Sequence, residues 1–251
     1  MDYILIIPSH RRPQILLEKT WALLQRTAPN IKPIIWLNDS EDFLEYEPLF
    51  PTAEFRIGGS GIGDKRNMIQ NSYPLNTKIV MIDDDIKEIV VLDGKNKKRK
   101  LKDLDALIKL GFSYCEKESS SFWSVYPVDN ALFLNNVVRR NLCYCIGAFF
   151  GVINKRVPVE LDCAEDFERS IKFWLLEKKV LRLEFIGLST KYYSNVGGLS
   201  LLRKEDRNNI DKKKLVELYP SLAKLIVKRN ITEIKLLSKK DVFEIDIPSE
   251  L

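Results

Sequence analysis

Histidine is almost missing from this chain: of 251 residues, His10 alone is one. A Ser-His-Asp triad, a Cys-His protease site and a histidine-rich zinc site each need imidazole as base or ligand, so none is expected. Any general base or metal ligand should be a carboxylate. Cysteine is scarce too, and Cys115, Cys143, Cys145 and Cys163 contain no CxxC pair. Long apolar runs are also lacking. No stretch of about 18 uncharged apolar residues occurs, so no span of a membrane is expected. The opening offers only Ile4 to Ile7 before Pro8 and His10-Arg11-Arg12, which excludes a secretory signal from the reading. Reduced thiols and a cytoplasmic location are the expectation.

What the chain does have is an apolar run ending abruptly in acid, Ile79-Val80-Met81-Ile82-Asp83-Asp84-Asp85. Short, β-branched and uncharged, the run reads as a buried strand. Side chains alternate along a strand, so Asp83 and Asp85 should face one way and Asp84 the other. Two carboxylates converging at a strand end form a hard oxygen site for Mg²⁺ or Mn²⁺, completed by phosphate oxygens and water. A solvated strand exit with helix-capping aspartates fits the same residues, and the rest of the chain has to decide.

Strand and helix alternate through the first half. Tyr3 to Ile7, Pro33 to Leu37 and Glu54 to Ile57 read as strands, and Pro13 suits a first helical turn. Leu16, Thr20, Leu23, Leu24 and Thr27 mark one face of that helix. A glycine-rich turn (Gly58, Gly59, Gly61, Gly63) leads into a helix through Arg66 to Asn71. Repeated β-α-β units imply a parallel sheet covered by helices, with ligands at the C-terminal ends of the strands. Further on, Phe122 to Val128, Tyr144 to Ile153 and Val180 to Ile186 look extended, and Glu165-Asp166 opens a helix. Residues 1–202 are read as one α/β domain. Residues 203–251, lysine-rich with Leu215, Leu218, Leu222 and Ile226 at helical spacing, are read as a basic helical extension.

The glycine segment nearly matches two nucleotide motifs and fails both. After Gly58-xxxx-Gly63, Asp64 stands where a P-loop needs lysine, and Arg66 where it needs Ser or Thr on the metal. Gly59, Gly61 and Gly63 are spaced GxGxG, not GxGxxG. Gly61 to Asn67 instead places backbone donors, Lys65 and Arg66 at a helix start, an arrangement that attracts anions. An N-capped surface helix with exposed cations is the plainer alternative.

Taken in order, Ile6-Ile7-Pro8-Ser9 with Arg11-Arg12, Leu37-Asn38-Asp39-Ser40, Gly61 to Asn67, Asp83-Asp84-Asp85 and Glu165-Asp166 resemble the GT-A class of nucleotide-sugar glycosyltransferases. The likeness covers roughly residues 3 to 200 and implies a Rossmann-type, parallel-core sheet. It implies a UDP-hexose donor whose uridine is held by Pro8, Ser9, Arg11 and Asp39, with Lys65 and Arg66 near the diphosphate. It implies Mn²⁺ or Mg²⁺ on Asp83 and Asp85, and Asp166 as the base on the acceptor hydroxyl, with Glu165 second. One departure is the missing C-terminal histidine ligand of many such enzymes; water or the Tyr192–Asn195 loop would fill that position, and Asn195 to Gly198 could instead close over substrate.

A narrower resemblance lies in Trp123 to Asn130 and Ile146 to Gly151, which look like segments of phage and large-virus glycosyltransferases. That group includes the TET-associated type and the enzyme adding a second glucose to glucosylated hydroxymethylcytosine in DNA. It implies double-stranded modified DNA as acceptor, with Trp123 and Tyr126 available to stack on a base or sugar. The net charge of +5 and the cations at Lys95, Lys97, Lys98, Arg99, Lys100 and Lys102 suit a polyanion, although such runs are also ordinary solvated faces. Transfer to a surface glycan or protein, a sugar-nucleotide or DNA-binding module without turnover, and a sugar-phosphate nucleotidyltransferase remain as rivals.

Overall fold

The computed structural model describes residues 2–190, 205–228 and 231–251. Its centre is a row of parallel strands made from the apolar runs: β1 (Ile4–Pro8), β2 (Ile34–Leu37), β3 (Glu54–Ile57) and β4 (Lys78–Ile82). β1 lies between β2 and β4 and pairs in parallel with both, and β3 follows β2 at the edge. Pro13 opens a continuous helical stretch, α1 (Pro13–Leu16), a π-helical turn (Leu17–Trp21) and α2 (Ala22–Thr27), with Leu16, Thr20, Leu23, Leu24 and Thr27 buried. The helices α3 (Ser40–Tyr46) and α4 (Ile62–Asn71) complete the first half.

The second half adds β5 (Glu88–Leu92), β6 (Lys98–Lys100), α5 (Leu104–Glu118), β7 (Phe122–Tyr126), β8 (Val137–Arg139), β9 (Phe149–Ile153), α6 (Glu165–Glu177) and β10 (Leu181–Ser189). β9 inserts antiparallel between β4 and β7, so β7 runs in the direction of β4. β10 is parallel to β7, with a register shift between Leu183 and Gly187, and its far end pairs with β5. The C-terminal ends of β1, β2, β4 and β10 therefore share one rim with the start of β9. Buried strand residues such as Ile7, Ile35, Val80, Val125 and Phe185 hold the sheet against its helices.

Beyond residue 203 the structure departs from the expected helical extension. α7 (Glu205–Leu218) is helical, but β11 (Ala223–Lys228) and β12 (Ile231–Leu236) form an antiparallel hairpin, and β13 (Val242–Glu244) joins the main sheet beside β8. Pro220 stops the helix, and the β-branched residues Ile226, Val227, Ile231 and Thr232 favour strands. Nor does this segment stand apart: Leu215 and Ala223 pack with Ile171 of α6, and Leu251 is buried in the main core. Among the described residues no helix is long and apolar enough to cross a membrane.

Candidate active site

The extended chain expected through the three aspartates stops short of them: β4 ends at Ile82, and Asp84 and Asp85 lie in a turn, with Arg12 reaching Asp84 at 2.9 Å and Asp85 at 4.0 Å. The Asp84 side chain is fully buried, while those of Asp83 and Asp85 are 32% and 16% exposed. Asp84 turns inward, accepting from Ser9 Oγ at 2.5 Å. Asp83 pairs with Arg66 at 2.7 Å, and Asp85 accepts from Thr190 Oγ1 at 3.0 Å. The turn is pinned from below: Thr20 Oγ1 donates to Asp83 O at 2.6 Å and accepts from Ile86 N at 2.9 Å. Burial pushes the Asp83 carboxyl up to about 7 against the pull of Arg66, and Asp84 up to about 6 against Arg12. Crowded carboxylates with oxygen as the only donor atom are a fit for Mg²⁺ or Mn²⁺.

Lys65 and Arg66 sit deeper than a helix start with exposed cations would put them. The Lys65 ammonium donates to Ser9 O at 2.8 Å and Trp36 O at 3.3 Å, tying the ends of β1 and β2 together. Arg66 is fully enclosed, donating to Asp83, Glu165 and the Gly147 carbonyl. A Cβ on Gly147 would lie 2.5 Å from both Arg66 Nη1 and Glu165 Oε1, so only glycine lets the guanidinium through. Both cations serve the protein's own oxygens, and Arg66 would act on a ligand only through Asp83. The start of α4 is likewise occupied from within: Gly63 N donates to Asp162 Oδ1 at 3.3 Å, and Arg207 of α7 pairs with the other oxygen at 2.8 Å.

The two acids that open α6 differ sharply. Glu165 is buried between Arg66 and Arg169, which removes it from the second catalytic place expected of it. Asp166 is half-buried; its Oδ2 accepts from Tyr144 Oη at 2.6 Å and its Oδ1 from Phe167 N at 2.9 Å. Burial and the neighbouring Glu165 raise its carboxyl above the usual range, while Tyr144 pulls it down.

Around the ends of β1 and β2, Pro8 and Ser9 are buried, and Ser9 spends its hydroxyl on Asp84 and Tyr46. Arg11 is exposed, in the left-handed region at φ 51°, with Glu41 at 3.4 Å. Asp39 caps α3, accepting from Asp42 N at 2.9 Å, and that bond holds its carboxyl below the ordinary value. His10 bonds through Nδ1 to the buried Asp42 at 2.8 Å.

Sequence reasoning assigned no role to Arg12, Asp42, Tyr144 and Arg169; Arg12 and Tyr144 meet Asp84 and Asp166 far along the chain, whereas Arg169 pairs with Glu165 one helical turn away. Trp123 is not available for stacking: it is wholly buried against Phe112 and Phe149. Tyr126 is half-buried with the Arg182 guanidinium 5.0 Å above its ring. Of the lysine run, Lys98 is held by Asp129 and Lys100 by Glu88, and Lys95 and Lys97 are exposed. The Tyr192–Asn195 loop and Gly197-Gly198 lie outside the described residues.

No protein-family model and no curated protein sequence matches the chain. Solved structures do. Residues 1–349 of S. aureus TarS with UDP-GlcNAc match at a TM-score of 0.55 and 11% identity, over 86% of this chain and 67% of that one. Glucosyl-3-phosphoglycerate synthase from Mycobacterium tuberculosis, with Mn²⁺, UDP and glucosyl-3-phosphoglycerate, matches at 0.55 and 8% identity, over 94% and 88%. The fold is GT-A-like. The Pyrobaculum calidifontis mannosyltransferase PcManGT, in complex with GDP-Man and Mn²⁺, matches at 0.54 and 10% identity, over 86% of this chain and 64% of its own. Likeness at these identities establishes the GT-A-like architecture, a mixed α/β sheet with a parallel core, and leaves chemistry to the residues themselves.

Proposed function

We propose that the protein is a metal-dependent glycosyltransferase that moves a hexose from a UDP-sugar to a hydroxyl acceptor. The observation that carries this reading is the Asp83/Asp85 pair at the end of β4, on the rim shared with the ends of β1 and β2 in a GT-A-like fold, with Arg66 joining Asp83 to Glu165 at the start of α6. The solved structures of similar fold, which hold UDP, GDP-Man and Mn²⁺, support the donor class and the metal.

Asp83 and Asp85 would hold Mn²⁺ or Mg²⁺, which when bound supplies positive charge beside the departing diphosphate. Arg66 keeps Asp83 in place from behind. Arg11 and Asp39 would contact the nucleoside over a floor made by Pro8 and Ser9. Asp166 would take the proton from the attacking hydroxyl, as an inverting transfer requires. Lys65 has its part in holding that floor together.

The acceptor we propose is a hydroxymethylated or already glucosylated base in duplex DNA, of the kind found in phages, in a cytoplasmic setting. Exposed Lys95 and Lys97, with Lys213, Lys214, Lys224, Lys235, Lys239 and Lys240 on α7 and the C-terminal hairpin region, offer the sequence-independent contacts that DNA phosphates need. The buried Trp123 leaves base stacking to other groups.

The test is incubation with Mn²⁺, a panel of UDP-sugars and DNA carrying cytosine, hydroxymethylcytosine or glucosylated hydroxymethylcytosine. Digested nucleosides are then weighed by mass spectrometry. A hexose-sized gain that Asp83→Ala/Asp85→Ala abolishes supports donor, acceptor and metal residues together. Metal-dependent UDP-sugar binding with no gain on any DNA moves the acceptor to a glycan or protein. Metal-independent binding with no turnover on any acceptor sinks the enzyme reading.

A further inference from the structure

We propose that Tyr144 is the positioning residue of the candidate base, its phenol fixing the Asp166 carboxylate for proton removal. The inference rests on the reading of Asp166 as base. Its foundation is the strap of chain from Leu142 to Ala148, which crosses the start of α6 before entering β9. Cys143 and Cys145 are buried on either side of Tyr144, at 2% and 0% exposure, and anchor the strap in the interior. The tyrosine between them is left half-buried at the rim.

Three further contacts fix the strap to its neighbours. Cys145 N donates to Ser170 Oγ at 3.1 Å, and Ser170 Oγ donates to Asp166 O at 2.7 Å, binding it to the first turns of α6. Arg182 of β10 donates to Tyr144 O at 2.8 Å. The Tyr144 ring stacks on Phe167, with centroids 4.3 Å apart and planes at 30°. With backbone and ring both held, the hydroxyl has little freedom, and it meets Asp166 Oδ2 at 2.6 Å.

That contact has a chemical consequence. Asp166 Oδ1 already accepts from Phe167 N, so both oxygens are oriented while each keeps a lone pair for an acceptor hydroxyl. A base must be charged to accept a proton. Burial and Glu165 oppose that charge, whereas Tyr144 and Arg66 favour it; Arg169 is the other cation whose field reaches this carboxylate. A phenol hydrogen bond to a carboxylate selectively stabilises the ionised form.

Tyr144→Phe removes one oxygen and keeps the stacked ring, so it separates positioning from packing. The expected result is a kcat lower by roughly tenfold with donor KM unchanged, and an acid limb of the kcat profile displaced upward by about one pH unit. In ¹³C-aspartate-labelled protein the Asp166 carboxyl, assigned from its loss in Asp166→Asn, should titrate at correspondingly higher pH. A lower kcat with both the acid limb and the carboxyl titration unmoved would mean that Tyr144 only packs, and overturns the proposal. Unchanged kcat overturns it as well. Failure of the underlying reading looks different: Asp166→Asn would then turn over at the wild-type rate, whatever the carboxyl titration shows for the Tyr144 contact.

Discussion

Lys65 shows how one residue's surroundings can reverse the role its type proclaims. A lysine at a helix start beside glycines reads as a phosphate hook, yet here it is 4% exposed and bonded to two backbone carbonyls. Burial lowers its pKa from 10.5 to about 8, against the attraction of Asp42 and Asp84. The unfolded chain, holding the ordinary value, keeps the proton up to about 10.5 while the folded protein sheds it from about 8. The unfolded state thus binds more protons in that window, and stability rises with pH across it. Below about 8 the cost of the buried charge is fully present. Urea titrations of wild type and Lys65→Met should differ by a constant amount below pH ~7. Between pH ~8 and ~10.5 the difference should move in favour of wild type, by at most about 1.4 kcal/mol per pH unit. A flat difference would show that Lys65 is not depressed. The strand that leads to Asp83 was legible where Lys65 was not, because the apolar run Lys78–Ile82 depends only on neighbours in sequence, whereas Asp84 and Asp85 lie in the turn beyond it. What buries Lys65 is Ser9 and Trp36, brought in by the parallel pairing of β1 with β2.

At the scale of elements, the same division between local and remote causes recurs. β3 and α6 begin where the sequence puts them, since Glu54 to Ile57 and the Glu165-Asp166 opening carry their own signals. α5 was not singled out in the sequence although it carries the same kind of local signal: Asp103 caps it, accepting from Ala106 N at 2.9 Å, and Leu104, Leu107, Ile108 and Cys115 are buried. The C-terminal segment misleads because Leu215, Leu218, Leu222 and Ile226 keep helical spacing straight across Pro220. β13 had no local signal at all: its three residues are a strand only because β8 offers an edge. That dependence makes a prediction. Deleting residues 242–251 removes β13, the Phe243 ring set 5.7 Å from Tyr114, and the buried Leu251 whose carbonyl accepts from Lys102 N at 2.6 Å. Stability should fall by about 3 kcal/mol in chemical denaturation, the worth of roughly one and a half buried large apolar side chains. The uncovered β8 edge should also make the shortened protein associate with rising concentration, seen by light scattering. An unchanged denaturation midpoint would make this segment an appendage after all.

For the whole molecule, the parallel core explains why motifs scattered from Pro8 to Asp83 were recognisable in order. Each of these lies just after a parallel strand or at a helix opening, and parallel pairing gathers such points on one rim, whereas Glu165-Asp166 follows the antiparallel β9, which ends beside the start of β4. The acceptor side has no such rule; Tyr144, Arg169 and Gly147 depend on how the strap between β8 and β9 is laid down. The assembled rim carries an electrostatic strain, because Asp83 is surrounded by Asp84, Asp85 and Glu165, with Arg66 as its one paired cation among the described residues. A divalent cation with a diphosphate should relieve that crowding, so metal and nucleotide should bind better together than apart. Ligands that bind only the folded state stabilise it by mass action, about 2.7 kcal/mol at one hundred times Kd. Mn²⁺ and UDP added together should therefore raise the thermal midpoint by more than the sum of their separate effects. In Asp83→Ala/Asp85→Ala the synergy should vanish while a smaller, metal-independent UDP effect through Asp39 and Arg11 persists. Strictly additive shifts in the wild type would mean that the metal does not bridge this acidic pair to the diphosphate.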